Sequence, residues 1–182
     1  MRRPKVEGAA VVTPELLQRT RSLSVPLTAL LCMWLFGNLY EEVVWNLQLI
    51  ADPRPGTVVG AFAVGSPVYY YLPWTPLSIV LAVILRVRFG DIAPFQVRRA
   101  WNRVIGSLAV AMITKVVLIA AVNPIFRDPT VSSGVVHDRA VLWAFGNGMA
   151  IVAVVAAVIL LTAWRRCPQQ EPELSKLAPT EK

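Results

Sequence analysis

Residues Val104–Val122 read VIGSLAVAMITKVVLIAAV, an apolar run with one charged side chain, Lys115, near its centre. A helix that crosses a bilayer needs about 20 predominantly apolar residues, so this run predicts a transmembrane helix. A lysine at that depth costs about 2.5–3.5 kcal/mol on insertion scales, and such side chains usually face the bundle interior beside a partner. We therefore expect Lys115 to pair with a polar side chain of another helix, at a functional site.

The apolar residues of the whole chain fall into four such blocks. The chain has 182 residues, 55% of them hydrophobic, and a mean hydropathy of +0.55. Each block is long enough to cross the hydrocarbon, which predicts an all-α integral membrane protein, a four-transmembrane-helix bundle. The predicted spans cover about residues 25–50, 68–88, 101–123 and 139–164. They form one domain, residues 22–166, between a cytoplasmic N-terminal tail, residues 1–21, and a disordered cytoplasmic C-terminal tail, residues 167–182.

Basic residues, which give the chain a formal charge of +7, are concentrated beside alternate ends of these spans. The two tails and the link between the second and third spans contain Arg2, Arg3, Lys5, Arg19, Arg21, Arg86, Arg88, Arg98, Arg99, Arg103, Arg165, Arg166, Lys176 and Lys182. The other two links contain or adjoin only Arg54, Arg127 and Arg139. The positive-inside rule then predicts a multi-pass protein of the cell membrane with both termini in the cytoplasm. Because the charges flank membrane segments, nucleic-acid binding is not expected.

The cysteine and histidine content offers no metal or redox motif. Cys32 and Cys167 form no CxxC pair, and His137 is the only histidine, so the spacings typical of Cys/His metal sites do not occur. We therefore predict no metal and no cofactor. The expected partners are the lipid bilayer and a hydrophobic small-molecule substrate, with homo-oligomerisation left open.

Polar side chains on three of the predicted spans lie at similar depth. Glu42, Lys115 and Asn147 are each about eight residues from the outer end of their span, or roughly 12 Å at 1.5 Å per residue. Of the two adjacent glutamates, Glu42 is the favoured partner of Lys115. Glu41 is placed nearer the lipid or beside a second partner.

Helical spacing brings further candidates to the same faces. Residues three, four, seven or eight apart share a face, which groups Asn38 with Glu42 and Trp45, Lys115 with Asn123, and Trp143 with Asn147. Two interpretations follow. In one, a buried glutamate–lysine pair with amide hydrogen bonds only stabilises the bundle. In the other, which we favour, these groups line a cavity that opens outward and carries out acid–base chemistry or proton coupling.

The two outer connections contain the remaining candidates. Tyr70 and Trp74, together with Tyr69 and Tyr71, fit an aromatic belt at the outer interface, or one of the tyrosines with Trp74 lines an aromatic ligand site. His137, followed by Asp138, is either a proton acceptor near the cavity entrance or a solvated loop residue beside a helix N-cap.

Several segments resemble the small four-span membrane proteins of the DUF1772, or anthrone-oxygenase-like, group. They are GNLYEEVVWN (Gly37–Asn46), SPVYYYLPWTPL (Ser66–Leu77), and the Trp101-Asn102 opening and Asn123-Pro124 closing of the third span. The resemblance covers the four spans and not the tails. It implies oxidation of an anthrone-like polycyclic aromatic to a quinone by molecular oxygen, without an obvious metal or flavin.

The residues fit such a reaction. A base forms the electron-rich enolate from an acidic C–H beside an aromatic ketone, and Glu42 or His137 is a candidate for that base. Lys115 and Asn147 are candidates for stabilising the enolate oxygen. The side chains available for stacking on the rings are Tyr69–Tyr71, Trp45, Trp74 and Trp143.

Two other function classes are compatible with the same polar groups. A membrane cyclase or isomerase of a lipophilic intermediate would use a buried glutamate as its acid. A proton-coupled small-molecule exporter, or a non-catalytic membrane subunit, would use the ion pair without any chemical step. We favour an enzyme that acts on a lipophilic, polycyclic aromatic, polyketide-like substrate.

Overall fold

A computed structural model of the chain describes residues 14–60, 62–64, 66–90 and 95–166, which form helices and no strand. The helices are α1 (Pro14–Tyr40), α2 (Leu47–Ala51), α3 (Trp74–Gly90), α4 (Phe95–Ala121), α5 (Asn123–Arg127) and α6 (Ser133–Arg166). A π-helical segment, Glu41–Asn46, joins α1 to α2 without a break, and Pro67–Tyr70 form a 3-10 helix. Most of the predicted N-terminal tail and the whole C-terminal tail, with its predicted disorder, lie outside the described residues.

The long helices α1, α3, α4 and α6 pack as a bundle. α1 lies beside α3 and α6, and α4 lies beside the same two helices. Near the end of α6, Arg165 donates hydrogen bonds to Ser24 (2.6 Å) and Thr28 (2.7 Å) in the first half of α1. Arg86 of α3 donates to Asn102 of α4 across 2.7 Å. Neighbouring helices are therefore antiparallel; we call the end with Arg165 the inner end and the opposite end, with α2 and α5, the outer end.

Within the described part of the chain, three stretches are long and apolar enough to cross a membrane, namely Gln18–Ala51, Arg98–Arg127 and Ser133–Arg165. They match the first, third and fourth predicted spans. The second differs from the prediction, because α3 has 17 residues and begins only at Trp74. Pro73 precedes α3 directly, and proline disfavours helical backbone in the residue before it. At 1.5 Å per residue α3 is about 25 Å long, against roughly 30 Å for the hydrocarbon core.

The bundle has two apolar cores with a polar layer between them. The inner core includes Leu27, Leu31, Trp34, Leu108, Ala111, Ala150 and Val154, and the outer core includes Leu49, Leu118, Val122, Phe126, Val136 and Trp143. The polar layer consists of Asn38, Glu41, Lys115 and Asn147, all buried. Along α4, for example, Ala111 packs in the inner core, Lys115 lies one turn further, and Leu118 packs in the outer core. The polar groups are therefore enclosed by apolar packing on both sides.

Candidate functional site

The two adjacent glutamates lie on the π-helical segment. One series of buried residues runs from α1 into the π-helical segment at intervals of three or four: Leu27, Leu31, Trp34, Asn38 and Glu41. The next buried residue is Asn46, because the wider π-helical turn delays the return of the chain to the interior. Glu41 is buried and Glu42 half-buried, while Val43 and Val44 are exposed. The segment thus directs both carboxyl groups inward, and π-helical turns of this kind are frequent at functional sites.

Three buried side chains form a hydrogen-bonded group that we call the triad: Glu41, Tyr71 and Lys115. The Lys115 Nζ lies 2.5 Å from Glu41 Oε2 and 2.9 Å from the Tyr71 hydroxyl oxygen. The Tyr71 hydroxyl donates to the same Glu41 Oε2. The side chains of Lys115 and Glu41 are 5% and 2% exposed, so the ion pair is largely shielded from solvent. Such charge-assisted hydrogen bonds are stronger than neutral ones and hold the carboxylate in place.

The prediction that Glu42 pairs with Lys115 is wrong, because Glu41 is the partner. The predicted placement of Glu41 near the lipid is wrong for the same reason, since its side chain is buried. The prediction applied ideal α-helical spacing, which puts Glu42 on the face of Asn38 and Trp45. The same spacing equally allows Glu41, which lies three residues after Asn38 and continues the buried series of α1.

Glu42 belongs to a neighbouring amide cluster with Asn38, Asn46 and Asn147. Its Oε1 accepts a hydrogen bond from Asn46 Nδ2 (3.1 Å) and its Oε2 accepts one from Asn147 Nδ2 (2.9 Å). Asn147 Nδ2 also donates to the backbone carbonyl of Asn38 (3.1 Å), which fixes the orientation of the amide. The predicted common level of Glu42 and Asn147 is confirmed by this contact. No described group of three His, Cys, Asp or Glu side chains could hold a metal ion.

A small cavity of about 50 Å³ adjoins the triad on its outer side. The residues around it include Glu41, Tyr71, Trp45, Asn123 and Trp143. A second, open groove of about 440 Å³ lies at the outer end and is lined by Trp45, Gln48, Leu49, Ala51, Asp52, Arg54 and Thr57. Trp45 is the wall that the cavity and the groove share.

Aromatic rings close the cavity towards the outer end. The Trp45 ring meets those of Phe126 and Trp143 edge-on, with centroids 5.8 and 6.0 Å apart. The Lys115 Nζ lies 5.1 Å from the centroid of the Trp143 ring, within the range of a cation–π interaction. The Trp143 indole N–H is turned towards the Glu41 carboxylate but forms no hydrogen bond of good geometry. Trp143 therefore contacts both the triad and the aromatic rings of the outer core.

Protein-family models, curated proteins and solved structures gave no match to this chain. The resemblance to the anthrone-oxygenase-like group therefore stays a prediction, and the site is interpreted from its own geometry.

Most of the predicted site residues come together, although not all of them. The triad, the amide cluster and the cavity wall contain Glu41, Glu42, Lys115, Asn147, Asn38, Trp45, Asn123 and Trp143. His137 instead lies at the outer end of α6, where its Nδ1 is 3.1 Å from the Ile50 carbonyl oxygen. Trp74 is half-buried at the start of α3 and does not line the cavity. Tyr70 belongs to the 3-10 helix, but its side chain is outside the described part of the structure.

Tyr71 is predicted from the sequence only as one of three tyrosines available for ring stacking, and not as a hydrogen-bond partner of the buried charges. It follows two other tyrosines, and the prolines around them exclude a regular helix from which a facing could be calculated. The 3-10 helix Pro67–Tyr70 and the turn after it point the Tyr71 hydroxyl at Glu41, whereas Tyr69 is exposed and donates to the Phe62 carbonyl oxygen (2.9 Å). The sequence offers only an indirect signal for Tyr71. Its segment is predicted at the outer depth of Lys115, where a buried ion pair needs a further hydrogen-bond donor.

Proposed function

We propose that this chain is a small integral membrane enzyme that performs proton-transfer chemistry on a lipophilic, polycyclic aromatic substrate. The observation that carries the proposal is the triad, in which a carboxylate and a phenol line a cavity near the outer end and an ammonium group is bonded to both of them. Ionisable side chains inside a membrane bundle are costly and usually functional. Their position beside an aromatic-lined cavity favours a ligand over a purely structural pair.

The three groups suit base-initiated chemistry at a carbon acidified by a conjugated ketone, such as the CH₂ group across the central ring from the carbonyl of an anthrone. The Glu41 carboxylate, held beside the ammonium group, is the candidate base that removes a proton from carbon. The Lys115 ammonium and the Tyr71 hydroxyl are donors for the enolate oxygen that develops. An ion-paired carboxylate is a base rather than an acid, which favours this reaction over a cyclase that begins by protonating its substrate.

With an anthrone and molecular oxygen, the proposed reaction is balanced without a further reductant. The enolate transfers one electron to oxygen, the resulting radical and superoxide combine to a peroxide anion at the reacting carbon, and this anion takes the proton back from the protonated base to give a hydroperoxide. Loss of water from that hydroperoxide breaks its O–O bond and leaves the second carbonyl of the quinone. One oxygen atom thus enters the product, and the other leaves as water with both hydrogens of the original CH₂ group.

The test is oxidation of an anthrone by membranes that contain the protein, under oxygen labelled with the heavy isotope. We expect a quinone with one labelled oxygen, formed at least about tenfold faster than in membranes without the protein, which corresponds to about 1.4 kcal/mol of barrier lowering. Membranes from the empty vector control for the slow oxidation of anthrones in air. Equal rates with and without the protein over a panel of anthrones would contradict the oxygenase function. Products of unchanged mass but new structure would instead indicate a cyclase, and altered efflux alone would indicate an exporter.

We infer further that the chain crosses the membrane four times with both termini in the cytoplasm. The three long apolar stretches and the antiparallel packing of α3 between α1 and α4 support this count. The excess of arginine at the inner end supports the orientation. The short α3 is compatible with a local thinning of the bilayer or with a span completed by the residues before Trp74.

Cysteine labelling tests this topology. In a background without Cys32 and Cys167, Thr57→Cys is expected to react with a membrane-impermeant maleimide in intact cells, and Arg99→Cys only after permeabilisation. Both positions are exposed, and only α3 separates them. Reaction of both cysteines in intact cells would show that α3 does not span the membrane, and the reverse pattern would show that the orientation is inverted.

A further inference from the structure

Among the residues that the structure describes, two buried polar atoms of the cavity wall form no hydrogen bond of good geometry. They are the indole nitrogen of Trp143 and the side-chain oxygen Oδ1 of Asn123. Trp143 is 1% exposed. Buried polar groups are almost always hydrogen-bonded, so unpartnered ones at a cavity indicate what its ligand provides. The indole N–H can only donate and Oδ1 only accept, which calls for a ligand that brings one acceptor and one donor to the cavity.

The cavity is too small for the whole of a polycyclic ligand. Ligand sites typically measure about 300–1,000 Å³, whereas this cavity holds about 50 Å³, room for a few water molecules or one polar edge. The outer groove, at about 440 Å³, lies within the usual range for a flat ring system. Trp45 lies between the two spaces and lines both of them.

We propose that the substrate binds across Trp45, with its rings in the outer groove and an edge bearing an acceptor beside a donor in the cavity. The acceptor of the ligand accepts a hydrogen bond from the Trp143 indole N–H, and the donor of the ligand donates one to Asn123 Oδ1. The Trp45 indole moves aside from its contacts with the other two rings and stacks on the bound molecule. This inference rests on the proposed function, and it names three residues that determine which aromatic molecules bind.

A binding experiment with three unreactive probes of one skeleton separates these roles. The probes are fluorene, fluorenone, which adds an acceptor, and hydroxyfluorenone, which carries a hydroxyl beside the ketone. Affinities are measured with the full chain in nanodiscs, and partitioning into empty nanodiscs is subtracted. The wild type is expected to bind hydroxyfluorenone most tightly and fluorene least tightly.

Each of three variants is expected to weaken a different set of probes by about three- to tenfold, the effect of one lost hydrogen bond or ring contact. Trp45→Ala should weaken all three, Trp143→Phe the two ketones, and Asn123→Leu only hydroxyfluorenone. Trp34→Phe is the matched control, because Trp34 is a buried tryptophan with an unpartnered N–H in the inner core. It should leave all three affinities unchanged.

Two results would overturn the inference: equal affinities of the three probes for the wild type, or a uniform loss of affinity in Trp143→Phe and Asn123→Leu. Turnover distinguishes this failure from that of the proposed function. The expected binding pattern without oxidation of any anthrone would support the site and contradict the reaction. Oxidation at the wild-type rate by Trp143→Phe and Asn123→Leu would support the reaction and contradict the site.

Discussion

Replacing Lys115 by methionine is expected to lower the free energy of unfolding by about 3–5 kcal/mol, the usual cost of removing one partner from a buried ion pair. The side chain is replaced by one of similar length, so packing changes little. The Glu41 carboxylate, however, loses its counterion in a layer enclosed by apolar packing on both sides. The measurement is equilibrium unfolding of the purified protein in mixed micelles by added denaturing detergent, followed by helical circular dichroism.

The double variant Glu41→Gln/Lys115→Met makes this a test of the pair rather than of either residue. The double variant leaves no unpaired charge in the triad. Its free energy of unfolding is therefore expected to lie within about 1 kcal/mol of the wild-type value, a smaller loss than that of either single variant. Additive losses in the two single variants would mean that the charges do not interact. Glu42→Gln is the matched control, since its partners are amide groups and its loss should cost about 0.5–1.5 kcal/mol per hydrogen bond.

The second large effect concerns turnover. Glu41→Gln is expected to lower the rate of anthrone oxidation about 10²- to 10⁴-fold, because glutamine keeps the shape of the side chain but cannot take up the proton. Glu42→Gln, the same change one residue away, should keep the rate within about tenfold of the wild-type rate, because Glu42 is hydrogen-bonded to the amide cluster and not to the triad. Rates are measured as quinone formed per folded molecule, with the folded fraction determined by size-exclusion chromatography, so that instability is not read as inactivity.

Either of two outcomes would contradict the assignment of Glu41 as the base. In one, Glu41→Gln keeps the wild-type rate. In the other, Glu42→Gln loses as much activity as Glu41→Gln, which would mean that the two carboxyl groups act as one unit. Lys115→Arg adds an independent check, because arginine keeps the charge but not the compact ammonium group. Compared with Lys115→Met, it should recover more of the wild-type stability than of the wild-type rate.

The sequence predicts the helices and the existence of a buried charge pair, but it does not predict which glutamate pairs with Lys115. Apolar length alone locates the first, third and fourth spans, and the charge of Lys115 requires a partner at its depth. Helical spacing does not separate Glu41 from Glu42, because they lie three and four residues after Asn38 and both positions share its face. Tyr71 escapes prediction because the prolines on both sides of YYY remove the helical period on which facing arguments depend. The size of the cavity follows from tertiary packing of Trp45, Phe126 and Trp143, which no single segment specifies.

The order of the triad along the chain has a consequence for biosynthesis in a bilayer. Glu41 precedes Lys115 by 74 residues and Tyr71 by 30. During synthesis the Glu41 carboxyl group therefore precedes its counterion. The hydrogen bond from Tyr71 to Glu41 needs only residues that precede α3. The ion pair needs α4 as well, so it is the later of the two contacts to become available.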